Sequence, residues 1–162
     1  MQMLLRSPAA IIEDHRSVAG VELAASPDSP ARERWLWDVR LESEEAPMTE
    51  ASDVESLEVT GAGRGIHFIN VRFDPEEIVA SIGVERLDLE SEFSRPAGEI
   101  WITIIESGAV HDRSFLVMTG DVLVWEGDDP LTVTLRPADE GRAEMAIVKI
   151  GRRDGSTLRW VP

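Results

Sequence analysis

The feature that most constrains this chain is its hydrophobic period. Apolar residues recur at every second position in one segment after another, and no window keeps the i, i+3, i+4, i+7 spacing of an amphipathic helix. Trp35, Trp37, Val39 and Leu41 alternate with Leu36, Asp38, Arg40 and Glu42, and Ile66 to Phe73 repeats the pattern. Successive side chains of a strand point to opposite faces, so alternation of this kind predicts strands with one face in a core. From Glu99 onward the segments become more apolar: Ile100 to Ile105, Phe115 to Met118, Val122 to Trp125, Leu131 to Leu135 and Met145 to Ile150. Turn clusters rich in Gly, Pro and Asp separate them, among them Glu106-Ser107-Gly108, Thr119-Gly120-Asp121 and Glu126 to Pro130. Short strands at this spacing predict an all-β sandwich or barrel. Ile100 to Ile105, apolar at both parities, predicts a strand covered on both sides.

Four further local expectations follow from the pattern. Ile78, Ala80, Ile82 and Val84 share one parity while Leu87 and Leu89 share the other, which predicts a bulge near Glu85 and Arg86. Ser26 to Arg34 contains two prolines and reads as a loop, and the acidic stretch Glu42 to Asp53 reads as a mobile connection. Phe93 to Gly98 reads as an internal break.

Composition narrows the chemistry. There is no cysteine among the 162 residues, which excludes disulfides, thiolate nucleophiles and cysteine-ligated metal. The net charge of -15 argues against nucleic acid and anionic membranes, both of which require a basic footprint. The stretch from Met1 to Ile12 lacks a secretory core, and no apolar run approaches the ~18 residues of a membrane span, so a cytoplasmic location is expected. The three histidines, His15, His67 and His111, are never paired at ligand spacing, and Asp128-Asp129 lacks the pattern of a calcium loop, so no metal and no cofactor are expected.

Four residues are the candidates for a ligand pocket. Trp37, with Trp35 two residues before it, offers an aromatic wall for a small ligand, although the pattern favours a place in the core. His67 shares the parity of Ile69, Val71 and Phe73 beside the glycine-rich turn Gly61 to Gly65, where it serves either as a charge-tuning group or as a rim histidine bonded to a carbonyl. Asn70 and Arg72 lie on the other parity and suit a ligand's carboxylate or amide, or solvent. The glycine-rich turn itself precedes a second strand rather than a helix, which argues against a phosphate loop. His111-Asp112-Arg113 reads as a polar connection, and no Gly-x-Ser-x-Gly elbow exists, so no catalytic residue is assigned.

Read in order, several segments resemble the HutD/Ves family of cupin-fold proteins. They are Ala19 to Leu23 followed by Trp37 to Leu41, then Ile66 to Asp74, which is similar to the family's Asp-Phe-Asn-Ile-Met-Thr-Arg strand, then Ile100 to Gly108, Gly120 to Gly127, Leu131 to Pro137 and Met145 to Ile150. Arg72 is the matched polar residue of that strand, and Asn70 stands one step from the family's asparagine. The family's Phe-Ser-x-Phe-Pro-Gly motif is absent, with Glu42 to Asp53 in its place, and Asp38 replaces an arginine of the family.

The resemblance implies a cupin-like jelly-roll β-barrel in a reduced bicupin arrangement, with residues 1–93 as a shortened first half and 94–162 as the second. It further implies a metal-free accessory protein that binds a small molecule or regulates, linked to histidine use or stress, rather than an enzyme. A small carboxylate is the expected partner, bound by Trp37, His67, Asn70 and Arg72. Two alternatives stay open: a cofactor-free isomerase or hydrolase of small acids with His67 or His111 as base, and an interaction module that pairs with a second copy or another protein through exposed strand edges.

Overall fold

A computed structural model describes residues 3–5, 21–26, 36–47, 53–60, 66–113, 115–138 and 141–160, and among them every regular element is a strand. In chain order these are β1 (Met3–Leu5), β2 (Val21–Ala25), β3 (Trp37–Glu42), β4 (Asp53–Thr60), β5 (Ile66–Phe73), β6 (Ile78–Leu87) and β7 (Ser91–Ser94). They continue with β8 (Ile100–Ser107), β9 (Ala109–His111), β10 (Leu116–Met118), β11 (Val122–Trp125), β12 (Thr132–Pro137) and β13 (Ala143–Arg152). All pairings are antiparallel. The strands form a five-stranded sheet in the order β1-β11-β8-β13-β6 and two four-stranded sheets, β2-β3-β5-β4 and β10-β9-β12-β7. The all-β expectation is met. Trp35, the turn Gly61 to Gly65 and most of the loop Ser26 to Arg34 lie outside the described residues.

The five-stranded sheet is central because its inner strands β11, β8 and β13 are buried on both faces. In β8, Ile100, Ile102 and Ile104 join one core, while Trp101 and Ile105 join another. Register carries the same division across the sheet: Val122 and Val124 of β11 and Ala146, Val148 and Ile150 of β13 stand beside the first set. Leu123, Trp125, Met145 and Ile147 stand beside the second. The first core is completed by the inward residues of β2, β3 and β5, including Leu23, Trp37, Val39, Ile69 and Val71, and by Leu158 and Trp160 near the C-terminal end. The second is completed by Val110, Val117, Val133 and Leu135 of the other outer sheet. A strand buried on both sides has no solvent face to fill, which is why Ile100 to Ile105 lacks polar residues except Thr103.

This arrangement corrects the expected bulge at Glu85 and Arg86. β6 pairs with β13 from Ile78 to Leu87 without a shift in register. Ile78 belongs to the first core and Leu87 to the second, so the parity change records a strand that passes from one core to the other across a flat ladder. The irregularity lies instead between β8 and β13, where Ser107 faces Glu144 and Ile105 faces Met145, leaving Glu106 as the extra residue. The turn that follows requires glycine: Gly108 has φ 76, and a Cβ there would meet the Arg142 carbonyl oxygen at 2.5 Å.

β7 runs into the segment Phe93 to Gly98, ending at Ser94, and a buried cation follows it. Arg95 is 2% exposed, and its guanidinium donates to the carbonyl oxygens of Glu99, of Gly127 at 3.3 Å and of Asp129 at 2.8 Å. Glu126, in the same turn, accepts the Trp160 N–H at 2.6 Å and so draws the C-terminal segment onto the first core. Five donors on a planar group suit arginine for such a junction, since several carbonyls can be met at once.

Two substitutions test the double-sided core. Ile102 is fully buried, and Ile102→Ala should cost about 2–5 kcal/mol in chemical denaturation, the range for such truncations. Thr103 is also fully buried, with its hydroxyl lacking a hydrogen-bond partner, so the near-isosteric Thr103→Val should raise the denaturation midpoint, by about 1 kcal/mol of stability.

Candidate functional site

Alternation in β3 and β5 decides which candidate residues meet. Trp37 faces Phe73, Val39 faces Val71 and Leu41 faces Ile69, all on the core side. Asp38 faces Arg72 and Arg40 faces Asn70 on the opposite side of the same sheet. Ser56 of β4 completes that side, opposite Asn70. The four sequence candidates therefore divide. Asn70 and Arg72 come together on the outer face, while Trp37 and His67 point into the interior. Trp37 is 1% exposed and its indole N–H has no hydrogen-bond partner. His67 stands opposite Val59 with both ring nitrogens shielded and unbonded. His111 is on β9, in a different sheet.

The outer face carries a buried polar network. Asn70 has no exposed surface and uses its whole amide. Its Nδ2 donates to Glu42 Oε2 at 2.6 Å and to the Glu44 carbonyl at 3.0 Å. Its Oδ1 accepts from the Ser56 hydroxyl at 2.7 Å and from the Ala46 N–H at 3.2 Å. Residues 43–47, the first part of the acidic connection, are thereby held against the sheet, and Ala46 is buried. This portion of the stretch expected to be mobile is tied down by a single asparagine.

Arg72 donates to both oxygens of Glu42, at 3.1 and 3.2 Å, and stands 3.5 Å from Asp38 Oδ2. Arg40 pairs with Glu42 at 3.0 Å. Arg40, Glu42 and Arg72 reach the surface with 22%, 18% and 25% of their side chains exposed, whereas Asp38 beneath them is wholly covered. Among the described residues neither oxygen of Asp38 accepts a hydrogen bond. Burial pushes its carboxyl up to about 6, against the lowering pull of Arg72 and Arg40. A carboxylate set among two guanidinium groups yet without a directed donor is poised to accept N–H or O–H groups.

One other acid is held in the same way. Glu106, the extra residue of the β8 irregularity, is buried, its Oε1 lacks a partner, and desolvation together with Glu144 raises its carboxyl to about 7. Among the described residues no group of three or more His, Asp or Glu side chains is placed to hold a metal ion. No helix is long and apolar enough to cross a membrane among these residues.

Asp38, Arg40, Glu42 and Ser56 are absent from the sequence-based set. Their shared parity with Asn70 and Arg72 is legible within each strand, but the cross-strand register that makes them one cluster is not.

Fold and site together define an all-β protein of stacked antiparallel sheets with a polar cluster on the outer face of the first. Its fold is that of HutD. The chain is similar to the structure of HutD from Pseudomonas fluorescens SBW25, solved in a formate condition, with a TM-score of 0.62 and 10% identity over 94% of this chain and 100% of that one. It is equally similar to a conserved protein of unknown function from Pseudomonas aeruginosa PAO1, with a TM-score of 0.63 and 12% identity over 94% of this chain and 99% of that one. No protein-family model and no curated protein matches the sequence.

The buried acids set a pH dependence. The folded chain holds the Asp38 and Glu106 protons more tightly than the unfolded chain, with carboxyls at about 6 and about 7 against ordinary values of 3.8 and 4.5. Their contribution to stability is fully present below about pH 4 and is lost as pH rises through 6 to 7. Asp38→Asn and Glu106→Gln should each flatten the fall in stability over this interval, by on the order of 1–3 kcal/mol, in thermal melts recorded at fixed ionic strength. A profile equally steep in both variants would contradict the assignment.

Proposed function

We propose that this is a metal-free, cupin-like accessory protein of the HutD type that binds a small carboxylic acid in the cytoplasm, with a role in histidine use or a stress response. The observation that carries the reading is Asp38: a covered carboxylate with no hydrogen-bond donor, 3.5 Å from the guanidinium of Arg72 and next to Arg40 on its strand. The complementary ligand brings an N–H or O–H for Asp38 and a carboxylate for Arg72 and Arg40, which Glu42 occupies while the site is closed. Asn70 acts here as a positioning residue: with all its amide bonds made inside the protein, it fixes Glu42 and the strap of residues 43–47 rather than touching ligand. Trp37 and His67 support the sheet from its inner side. The fold shared with HutD supports the reading independently of the residues.

The experiment is a thermal-shift screen against histidine, urocanate, formiminoglutamate, glutamate and formate, with and without divalent metal. A ligand of the native state raises Tm by mass action, by about 2.7 kcal/mol of stability at a concentration of 100 Kd. The expected result is a metal-independent rise with an acid that also carries a donor. Arg72→Lys, which keeps a cation beside Asp38 but loses the planar fork, should then weaken that ligand by about 1.5–3 kcal/mol. No shift with any acid, or a shift only with metal, would overturn the reading.

A further inference from the structure

A second polar surface lies on the other outer sheet. The end of β9, the connection that follows it, β12 and Glu90 before β7 enclose a cleft of about 440 Å³ lined by Glu90, His111, Asp112, Arg113, Thr134 and Arg136. The fold places these groups together by alternation. Val110, Val133 and Leu135 enter the second core, so His111, Thr134 and Arg136 face outward, and Arg136 stands directly opposite His111 in the ladder.

The two arginines differ from five others among the described residues. Arg40, Arg72, Arg86, Arg142 and Arg152 each have a carboxylate within 4.0 Å. Among the described residues Arg113 and Arg136 have none and neither guanidinium makes a hydrogen bond, although the chain carries 31 acidic residues against 16 basic ones and Glu90 and Asp112 share the cleft. Asp112 is engaged elsewhere. Two planar donors lining one concavity within the usual 300–1,000 Å³ range for ligand pockets suit a planar oxyanion.

We propose that this cleft is a separate binding site for a small carboxylic acid, whose carboxylate is held by Arg113 and Arg136. The Thr134 hydroxyl and the His111 imidazole add hydrogen bonds to the carboxylate, and Glu90 at the rim accepts from a donor group elsewhere on the ligand. The site shares no residue with the Asp38 cluster and does not depend on it.

The test is an NMR titration of the uniformly ¹⁵N-labelled full chain with malate and with glutamate at constant ionic strength, beside matched titrations with sodium chloride and inorganic phosphate. The expected result is a saturable shift of the amides of residues 111–113 and 134–136 with at least one of the two acids. Its Kd should rise at least tenfold in Arg113→Gln and in Arg136→Gln and stay unchanged in Arg142→Gln, another exposed arginine. Shifts that do not saturate, shifts reproduced by chloride, or wild-type affinity in either cleft variant would overturn the site. Tighter binding of phosphate than of either acid would overturn its assignment to carboxylates. Shifts confined to residues 38–42 and 70–72 would overturn the cleft while supporting the first site, so the two proposals fail separately.

Discussion

The structure depends on a central sheet that has to be buried on both faces. β8 and β11 carry apolar side chains at both parities, so neither face tolerates water, and each recruits its own outer sheet. Burial at roughly 25 cal/mol per Å² of apolar surface is the main favourable term, and here it is collected twice from the same backbone. Arg95 and Glu126 close the end where the connections gather, one by donating to turn carbonyls, the other by accepting from the C-terminal segment. With both cores apolar, polar chemistry is displaced to the outward faces of the two flanking sheets.

Those two faces solve the placement of charge differently. On the first, acids and bases are interleaved closely enough to satisfy one another, and Asn70 links them to the backbone of the adjoining strap. The exception is Asp38, which is covered without receiving a donor, and desolvation there outweighs the attraction of two arginines. On the other, Arg113 and Arg136 share a cleft with Glu90 and Asp112, yet neither forms an ion pair among the described residues. The first face thus holds a closed network with one unsatisfied acceptor, and the second an open cleft with unsatisfied donors. Each is defined by the groups its own residues leave unpaired.

Much of the fold was legible. The strands at Ile66 to Phe73 and Val122 to Trp125 have the expected bounds, and the two-sided burial of Ile100 to Ile105 follows from composition at both parities. β4 is absent from the segments read as strands because its apolar residues are few and acids occupy positions of either parity, as suits a strand at the edge of its sheet. The site was legible only in part. Parity within β5 separates His67 from Asn70 and Arg72, yet it contains nothing that brings Ser56 or Glu42 beside them.

Local pattern by itself determined the all-β class, the absence of thiol chemistry and which residues of an alternating strand share a face, because those depend on a period of two and on residue type. Tertiary structure alone decided that Ile78 and Leu87 serve different cores, that Asp38 is covered while Arg72 reaches the surface, and that His111 meets Arg136. These are consequences of register and sheet stacking, set by contacts between segments tens of residues apart, and a one-residue slip would reverse every one of them.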